Sequence, residues 1–224
     1  MQIKKISNLR LIIIFLQAIA HCVGSAGFSV GEYAALAFAG AFSFEEGLKL
    51  VCARAAAMQR ASEETPSGLM TAFLGPSSKL GLAMDTARKY CANRLHIEDP
   101  VCQVANYLYP EVKVIGGHQE ALAFVKENAA DFGIRRLKPL PVSGAFHTSL
   151  MYSACEPLQI ALEQTTMKRP IIPVYSNVAA RRYHNVSSIK TNLVKQLTSP
   201  VRWEQTMHVV YSRPTGTAFP RTFE

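Results

Sequence analysis

The segment Gly27-Phe28-Ser29-Val30-Gly31 constrains the fold more than any other feature, because it matches the pattern G-x-S-x-G. An apolar run over residues 11–16 with a weaker tail to residue 20 precedes it, and an alanine-rich stretch over residues 32–41 that predicts a helix follows it. A serine on a sharp turn between a strand and a helix projects its hydroxyl at the edge of a sheet, and the glycines leave room for the tight backbone. The pattern predicts an α/β fold with Ser29 as a nucleophile and the Val30 amide as a donor to an oxyanion. The alternative is a glycine-rich packing turn.

The first 20 residues allow two interpretations. A basic start, an apolar stretch and the ending Ala18-Ile19-Ala20 imitate a secretory signal with its cleavage site. The same stretch also fits a buried parallel strand that leads into the turn at Ser29. We favour the strand, because cleavage after Ala20 would remove the strand that the G-x-S-x-G turn needs.

A second series of predicted strands and helices begins after the break at Pro66-Ser67-Gly68. Strands are predicted over 69–74, 101–105, 112–115 and 134–137, and helices over 77–92 and 119–130, with Gly116-Gly117 as a turn. This order, β-α-β-β-α-β, is the ferredoxin-like pattern. It predicts a small subdomain over residues 66–141, inserted into a large domain formed by residues 1–65 and 142–224.

The large domain is predicted to be mostly helical outside its strands. Ser43 is a plausible N-cap for a helix over 44–62, with acidic residues in its first turn. Further helices are predicted over 149–167, 189–197 and 201–212, and a strand over 171–176.

Composition excludes several classes of protein. With 49% hydrophobic and 18% charged residues, the chain is neither disordered nor low in complexity. The apolar run over 11–16 is too short to cross a membrane. The five cysteines are scattered without a CxxC pair, which favours a reducing compartment over a disulfide framework or a zinc site.

The net charge of +8 lies in one stretch, residues 133–202, which holds ten Lys and Arg against two acids. This stretch is either a solvated basic face or a docking surface for a phosphate-bearing ligand or an acidic partner. Nucleic acid is the weaker interpretation, because zinc spacing, an RNP-like aromatic pattern and a long arginine block are all absent from the sequence.

Two further residues are candidates for chemistry. A serine nucleophile needs a base, and of the six histidines His147 lies where the chain re-enters the large domain. Arg54 lies among small apolar residues on the helix predicted over 44–62, so it faces either solvent or a pocket. In a pocket its guanidinium would form a bidentate clamp for a carboxylate.

Together these segments resemble a known family. The residues Gly27-Phe28-Ser29-Val30-Gly31-Glu32, Arg54 and Gly144-Ala145-Phe146-His147-Thr148 are similar to malonyl-CoA:acyl carrier protein transacylases, and to the animal mitochondrial type above all. The resemblance runs from about Ile19 to Glu224 and includes Ser67-Gly68-Leu69, Asn106-Tyr107, Gly117-His118-Gln119-Glu120, Val174-Tyr175-Ser176-Asn177 and Ser199-Pro200-Val201-Arg202-Trp203.

The resemblance implies an α/β-hydrolase-like large domain, a ferredoxin-like small domain and an active site in the cleft between them. Ser29 and His147 would form the catalytic dyad. Arg54 would bind the free carboxylate of the malonyl group, and Phe146 would favour malonyl over methyl-branched substrates. Val30 and Asn177 would complete the substrate-binding residues.

The implied reaction moves a malonyl group from malonyl-CoA to the phosphopantetheine thiol of acyl carrier protein through malonyl-Ser29, and supplies fatty acid synthesis. The resemblance implies no metal or other cofactor, and no nucleic-acid or membrane partner. It also implies a monomer in the mitochondrial matrix.

Three departures from the family stand out. Phe28 replaces a histidine found in many members. Residues 1–18 show no Gly-Gln-Gly loop, whose glutamine helps to form the oxyanion hole. The chain stops at Glu224, before a Gly-Pro-Gly segment that includes the acceptor for the catalytic histidine. Both ends are therefore expected to be incomplete. A non-catalytic remnant that only binds acyl carrier protein, and a serine esterase, are the competing hypotheses.

Overall fold

The computed structural model describes residues 19–223. The predicted strand over 11–20 therefore lies outside the described residues, apart from Ile19 and Ala20, which are helical. The helices are α1 Gly31–Phe38, α2 Phe44–Glu64, α3 Leu80–Leu95, α4 Gln119–Glu127, α5 Cys155–Gln164, α6 Val186–Gln196 and α7 Trp203–Tyr211, with a 3₁₀ helix over Ser149–Ala154. The strands are β1 Ser67–Phe73, β2 Cys102–Tyr109, β3 Val112–His118, β4 Arg136–Pro139 and β5 Val201–Arg202.

The strands form one mixed sheet in the order β4-β1-β3-β2-β5. The first four strands pair antiparallel, and β5 pairs parallel to β2 through the register Asn106↔Val201. Between β1 and β4 the elements follow in the predicted order β-α-β-β-α-β. The prediction of an α/β fold is confirmed.

Each face of the sheet packs against a different part of the chain. Side chains alternate across a strand, so Met70 and Ala72 of β1 pack with α3 and α4, whereas Leu69 faces the other side. There Leu69 joins Ala105 and Val114, and the half-buried Phe146 packs against them. Phe146 also packs against the second core, which is built from α1, α2, the 3₁₀ helix, α5 and α6.

Helix α2 has the start that its sequence predicts. The Ser43 hydroxyl accepts from the Glu46 amide at 3.2 Å, and the Glu46 carboxylate accepts from the Ser43 amide at 3.4 Å. This capping box satisfies two amides that a helix start leaves unpaired. The buried residues of α2 recur at helical spacing: Gly47, Leu50, Arg54, Ala57, Met58, Ala61 and Ser62. An arginine therefore occupies the stripe that faces the interior.

The predicted turn at Gly116-Gly117 is wrong, because both glycines lie within β3 and pair with Leu69 and Gly68 of β1. A Cβ added to Gly117 would lie 2.0 Å from the Val101 carbonyl oxygen. The two glycines thus mark a close approach of backbones inside the sheet.

One predicted strand and two predicted helices have different bounds in the structure. The predicted strand over 171–176 forms only the isolated bridges Ser25↔Val174 and Tyr175↔Arg182, since Pro170 and Pro173 have no N–H to donate. The helix predicted over 149–167 is divided into the 3₁₀ helix and α5, which has Pro157 in its first turn. The helix predicted over 201–212 begins only after the two residues of β5.

Within residues 19–223, no helix combines the length and the apolar composition needed to cross a membrane.

Candidate active site

Ser29 lies on a strained turn that leads into α1. Its φ is +52°, a left-handed conformation that non-glycine residues rarely adopt. The turn closes with hydrogen bonds from the Gly31 amide to the Phe28 carbonyl at 2.8 Å and from the Glu32 amide to the Ser29 carbonyl at 3.1 Å. A Cβ on Gly27 would lie 2.0 Å from the Gly31 carbonyl oxygen, so only glycine fits there. The structure thus has the elbow that the G-x-S-x-G pattern predicts.

The side chain of Asn177 holds this elbow through two hydrogen bonds. Its Oδ1 accepts from the Ser29 amide at 2.6 Å, and its Nδ2 donates to the Gly27 carbonyl at 2.8 Å. Asn177 is fully buried. Its own turn is organised by the Ser176 hydroxyl, which accepts from the amides of Val178 and Ala179 at 3.3 Å each. One side-chain amide therefore fixes the backbone that leads into the serine.

His147 contacts the Ser29 hydroxyl, with 2.8 Å between Nε2 and Oγ. Its Nδ1 lies 2.7 Å from the Gln196 carbonyl oxygen. A carbonyl can only accept, so Nδ1 carries the proton and Nε2 is free to accept from Ser29. This is the arrangement that a general base for a serine requires.

The surroundings of His147 keep its imidazole neutral. The pKa of His147 is lowered to about 4: burial is the main cause, the hydrogen bond to the Gln196 carbonyl opposes it, and the positive charge of Arg54 adds to the lowering. A neutral imidazole at neutral pH can take a proton from the serine.

Arg54 reaches the same hydroxyl from α2. Its Nη2 donates to Ser29 Oγ at 2.9 Å and to Gln196 Oε1 at 3.2 Å. The side chain is buried and its guanidinium lies 5.7 Å from the centre of the Tyr33 ring. The structure thus places Arg54 in the interior beside Ser29 and not in solvent.

The guanidinium of Arg54 is not fully paired. Its Nε is buried and has no hydrogen-bond partner among the described residues. Burial lowers the pKa of Arg54, and the nearby Tyr33 and Glu32 oppose that shift. A buried unpaired donor is costly, so a ligand carboxylate that accepts from it would bind favourably.

Val30 and Phe146 lie at the margins of the site. Val30 is the residue before the first turn of α1, and among the described residues no group accepts from its amide. That amide points out of a helix N-terminus, where the helix dipole favours negative charge. Phe146 directly precedes His147 and packs between the two cores, so it helps to set the position of the histidine.

Sequence reasoning missed two residues of this site, Gln196 and Glu32. The acceptor for His147 was expected beyond Glu224, and that expectation is wrong, because the Gln196 carbonyl accepts from it. Gln196 lies at the end of α6, just before the matched segment that begins at Ser199. No local pattern signals its role.

Glu32 belonged to the matched motif but had received no role. It is buried, and its carboxylate accepts from the Gln196 side chain at 2.7 Å, from the Asn177 amide at 3.2 Å and from the Tyr183 hydroxyl. Burial raises the pKa of Glu32 to about 7, and the hydrogen bonds from Tyr183, Gln196 and Asn177 oppose that shift. An acid one turn after a nucleophile, on a helix with a buried face, was the available signal.

The arrangement can therefore perform nucleophilic chemistry on a carbonyl compound. A strained serine contacts a neutral base, an amide is available for an oxyanion, and an arginine stands beside the hydroxyl. Among the described residues, no group of three His, Cys, Asp or Glu side chains could hold a metal ion.

Residues 23–218 match the family model of the acyl transferase domain. The chain belongs to this family. It is 54% identical over 206 residues to the mitochondrial malonyl-CoA-acyl carrier protein transacylase of Homo sapiens, covering 92% of this chain and 53% of that protein. It is 50% identical over 206 residues to the protein of the same name from Mus musculus, covering 92% and 54%. The chain spans about half the length of the curated relatives that it matches.

Solved structures give the same picture. The malonyl CoA-acyl carrier protein transacylase of Coxiella burnetii matches with a TM-score of 0.76 and 31% identity over 84% of this chain and 57% of that one. A malonyl transacylase solved in complex with an acyl carrier protein of a type II polyketide synthase matches with a TM-score of 0.72 and 31% identity over 83% and 57%. The resemblance inferred from the motifs is thus confirmed.

Proposed function

We propose that this chain transfers a malonyl group from malonyl-CoA to the phosphopantetheine thiol of acyl carrier protein through malonyl-Ser29. The proposal rests on two contacts that the Ser29 hydroxyl makes at once, one with a base and one with an arginine. Ser29 Oγ lies 2.8 Å from the base His147 and 2.9 Å from Arg54, a receptor for a carboxylate. A plain esterase needs the first contact, whereas a malonyl-specific enzyme needs both. The names of the relatives point the same way.

In the first half-reaction His147 Nε2 takes the proton of Ser29 Oγ while Oγ attacks the carbonyl carbon of the malonyl thioester. The amide of Val30 donates to the oxyanion that forms. The carbon–sulfur bond then breaks and His147 gives its proton to the departing sulfur, so CoA leaves as a thiol and the imidazole is neutral again. The product is a malonyl ester on Ser29.

In the second half-reaction the thiol of the carrier's phosphopantetheine gives its proton to His147 and attacks the ester carbonyl. The bond to Ser29 Oγ breaks, and His147 returns the proton to the serine. The site is restored, as ping-pong acyl transfer requires.

Arg54 selects the acyl group in this scheme. Its guanidinium forms charge-assisted hydrogen bonds with the free carboxylate of malonyl, which acetyl lacks. The unpaired Nε supports this role. Phe146 limits the room for a branched acyl group beside His147. For Asn177, predicted to bind substrate, the two hydrogen bonds to the elbow support a positioning role instead.

The finer description of the fold belongs to the same proposal. Of the large domain predicted over residues 1–65 and 142–224, the described part, 19–65 and 142–223, is α/β-hydrolase-like, and residues 66–141 form a ferredoxin-like small domain. The antiparallel order β4-β1-β3-β2 and the parallel bridge Ser25↔Val174 support this division. The active site lies between the two units, where Phe146 packs against both cores.

The remaining expectations rest on the relatives. The names of the human and mouse proteins support a mitochondrial location, and the assignment to the matrix stays a prediction. The basic stretch over residues 133–202 suits the phosphates of CoA and an acidic carrier protein. That the protein is a monomer without a metal or other cofactor stays a prediction.

A transfer assay tests the function. The purified chain is incubated with malonyl-CoA and holo acyl carrier protein, and malonylated carrier is measured by mass spectrometry. We expect malonyl carrier to form with the wild-type chain and to be absent with Ser29→Ala. Carrier binding without transfer would support the non-catalytic alternative, and hydrolysis of simple esters without transfer would support an esterase.

A further inference from the structure

Beneath the nucleophile, a buried network links the three active-site residues Ser29, His147 and Arg54 to one carboxylate. Glu32 lies at its centre and is 1% exposed. Among the described residues, its carboxylate makes no hydrogen bond with Ser29 Oγ, His147 or Arg54. The main-chain carbonyl of Ser29, the ring of His147 and the guanidinium of Arg54 instead contact Gln196, and Gln196 contacts Glu32.

Gln196 is hydrogen-bonded through three of its polar groups. Its main-chain carbonyl accepts from His147 Nδ1 at 2.7 Å, and its Oε1 accepts from Arg54 at 3.2 Å. Its Nε2 donates to the Ser29 carbonyl at 3.2 Å and to Glu32 Oε2 at 2.7 Å. One residue therefore touches the backbone of the nucleophile, the base and the arginine.

Glu32 determines which way the Gln196 amide points. A carboxylate and a carbonyl can only accept, so the NH₂ group must face Glu32 and Ser29, and Oε1 must then face the guanidinium of Arg54. The reverse orientation would place the amide oxygen against two acceptors and its NH₂ group against a donor. The carboxylate thus orients the arginine through the amide.

Tyr183 in turn holds the carboxylate. Its hydroxyl donates to Oε1 of Glu32, while Asn177 and Gln196 donate to Oε2. All three partners donate and none accepts, so the geometry suits the ionised carboxylate, the form that prevails above its pKa of about 7. Tyr183 is half-buried and follows the turn that carries Asn177, so it ties that turn to α1.

We propose that Glu32, fixed by Tyr183, is a positioning residue that sets Ser29, His147 and Arg54 through Gln196. This inference rests on the proposed function for the identity of the acyl group, but the positioning of Ser29 and His147 holds for any acyl donor. Glu32 touches no substrate and takes no part in proton transfer.

The test compares Tyr183→Phe, Glu32→Gln and the double variant, with Tyr152→Phe as a matched control on a tyrosine that is 78% exposed. Two reagents modify Ser29: malonyl-CoA, and a fluorophosphonate that reacts with activated serines whatever their natural substrate. Rates are measured by intact-protein mass spectrometry. Proton NMR follows the Nδ1–H of His147, which reports the bond to the Gln196 carbonyl.

We expect Tyr183→Phe and Glu32→Gln each to slow both reagents about tenfold, the lower end of the effect of losing one hydrogen bond to a charged group, because the loss acts through Gln196. The double variant should be little slower than the slower single variant, because both changes break the same path. The His147 Nδ1–H signal should shift in all three variants, and Tyr152→Phe should match the wild type.

Wild-type rates in Tyr183→Phe, or an unshifted Nδ1–H signal, would overturn the proposal. Losses that multiply in the double variant would also overturn it, since they would indicate separate structural effects. If Glu32→Gln does not fold, Tyr183→Phe decides alone. A wild-type chain that reacts with the fluorophosphonate but not with malonyl-CoA would refute the malonyl function and leave the positioning test intact. A wild-type chain that reacts with neither would overturn both.

Discussion

Replacing Arg54 by methionine tests the selection of the acyl group most sharply. Methionine keeps much of the buried apolar volume of the side chain and removes every donor. Two losses follow. Ser29 Oγ and Gln196 Oε1 each lose a hydrogen bond that exists before any substrate binds. The malonyl carboxylate loses its receptor. The first loss is common to all acyl donors, and the second affects malonyl alone.

The ratio of the two rates isolates the second loss. A hydrogen bond to a charged group contributes about 1.5–3 kcal/mol, which corresponds to about 10–150-fold in rate. Nη2 of Arg54 already has partners and Nε has none, so the carboxylate gains at least one new bond of this kind. We therefore expect the malonyl-to-acetyl ratio to fall about 10–150-fold in Arg54→Met.

The assay measures the initial rate of acyl-Ser29 formation from malonyl-CoA and from acetyl-CoA, by intact-protein mass spectrometry. Arg54→Lys should give an intermediate ratio, because an ammonium group keeps the charge but loses the planar pair of donors. Arg60→Met, a change at an exposed position of the same helix α2, should leave the ratio unchanged. Equal losses for malonyl and acetyl in Arg54→Met would refute the reasoning.

Three further predictions follow from the same structure. The imidazole of His147 should titrate by NMR with a midpoint near pH 4, because burial and Arg54 lower its pKa. Arg54→Met should raise that midpoint. A midpoint near 6.5 in the wild type would contradict a buried imidazole. Burial raises the pKa of Glu32 from 4.5 to about 7, so its contribution to stability is full below pH 4.5 and is lost as pH rises to 7. In urea unfolding, Glu32→Gln should therefore gain about 3 kcal/mol relative to wild type across that range, and a constant difference would contradict this. Gly117→Ala should lower the free energy of unfolding by about 1–3 kcal/mol, since its Cβ would meet the Val101 carbonyl oxygen 2.0 Å away; unchanged stability in the same assay would show that β2 and β3 can separate at no cost.

Features encoded in a few neighbouring residues were predictable from the sequence. The elbow at Ser29 depends on two glycines and the helix that follows. The start of α2 depends on Ser43 and Glu46, whose capping box is complete. Arg54 could be assigned to a helix, but only the structure decided between solvent and the interior, by placing it in the buried stripe of α2.

Features that depend on distant contacts were not predictable in this way. Gly117 was taken for a turn residue because a pair of glycines usually interrupts a strand, yet its role is to let a neighbouring backbone approach. The acceptor for His147 is a main-chain carbonyl 49 positions away in sequence. A main-chain carbonyl has no residue type, so no motif can mark it.

The role of Glu32 was only partly predictable from the sequence. Its position in the matched motif was visible, but its three donors come from the turn at Asn177, from Tyr183 and from the end of α6. Only the packing of those segments shows that the carboxylate is buried and what it orients. The expectation of a dyad without a third acidic member agrees with the geometry, since His147 has the Gln196 carbonyl as its partner.

The covalent intermediate tests the central claim most directly. The chain is incubated briefly with malonyl-CoA, digested, and its peptides are analysed by mass spectrometry, with Ser29→Ala as the control. The account predicts a malonyl adduct on the peptide that contains Ser29 and none in the control. A cooperatively folded wild-type chain without this adduct, or with malonyl only on another residue, would contradict it.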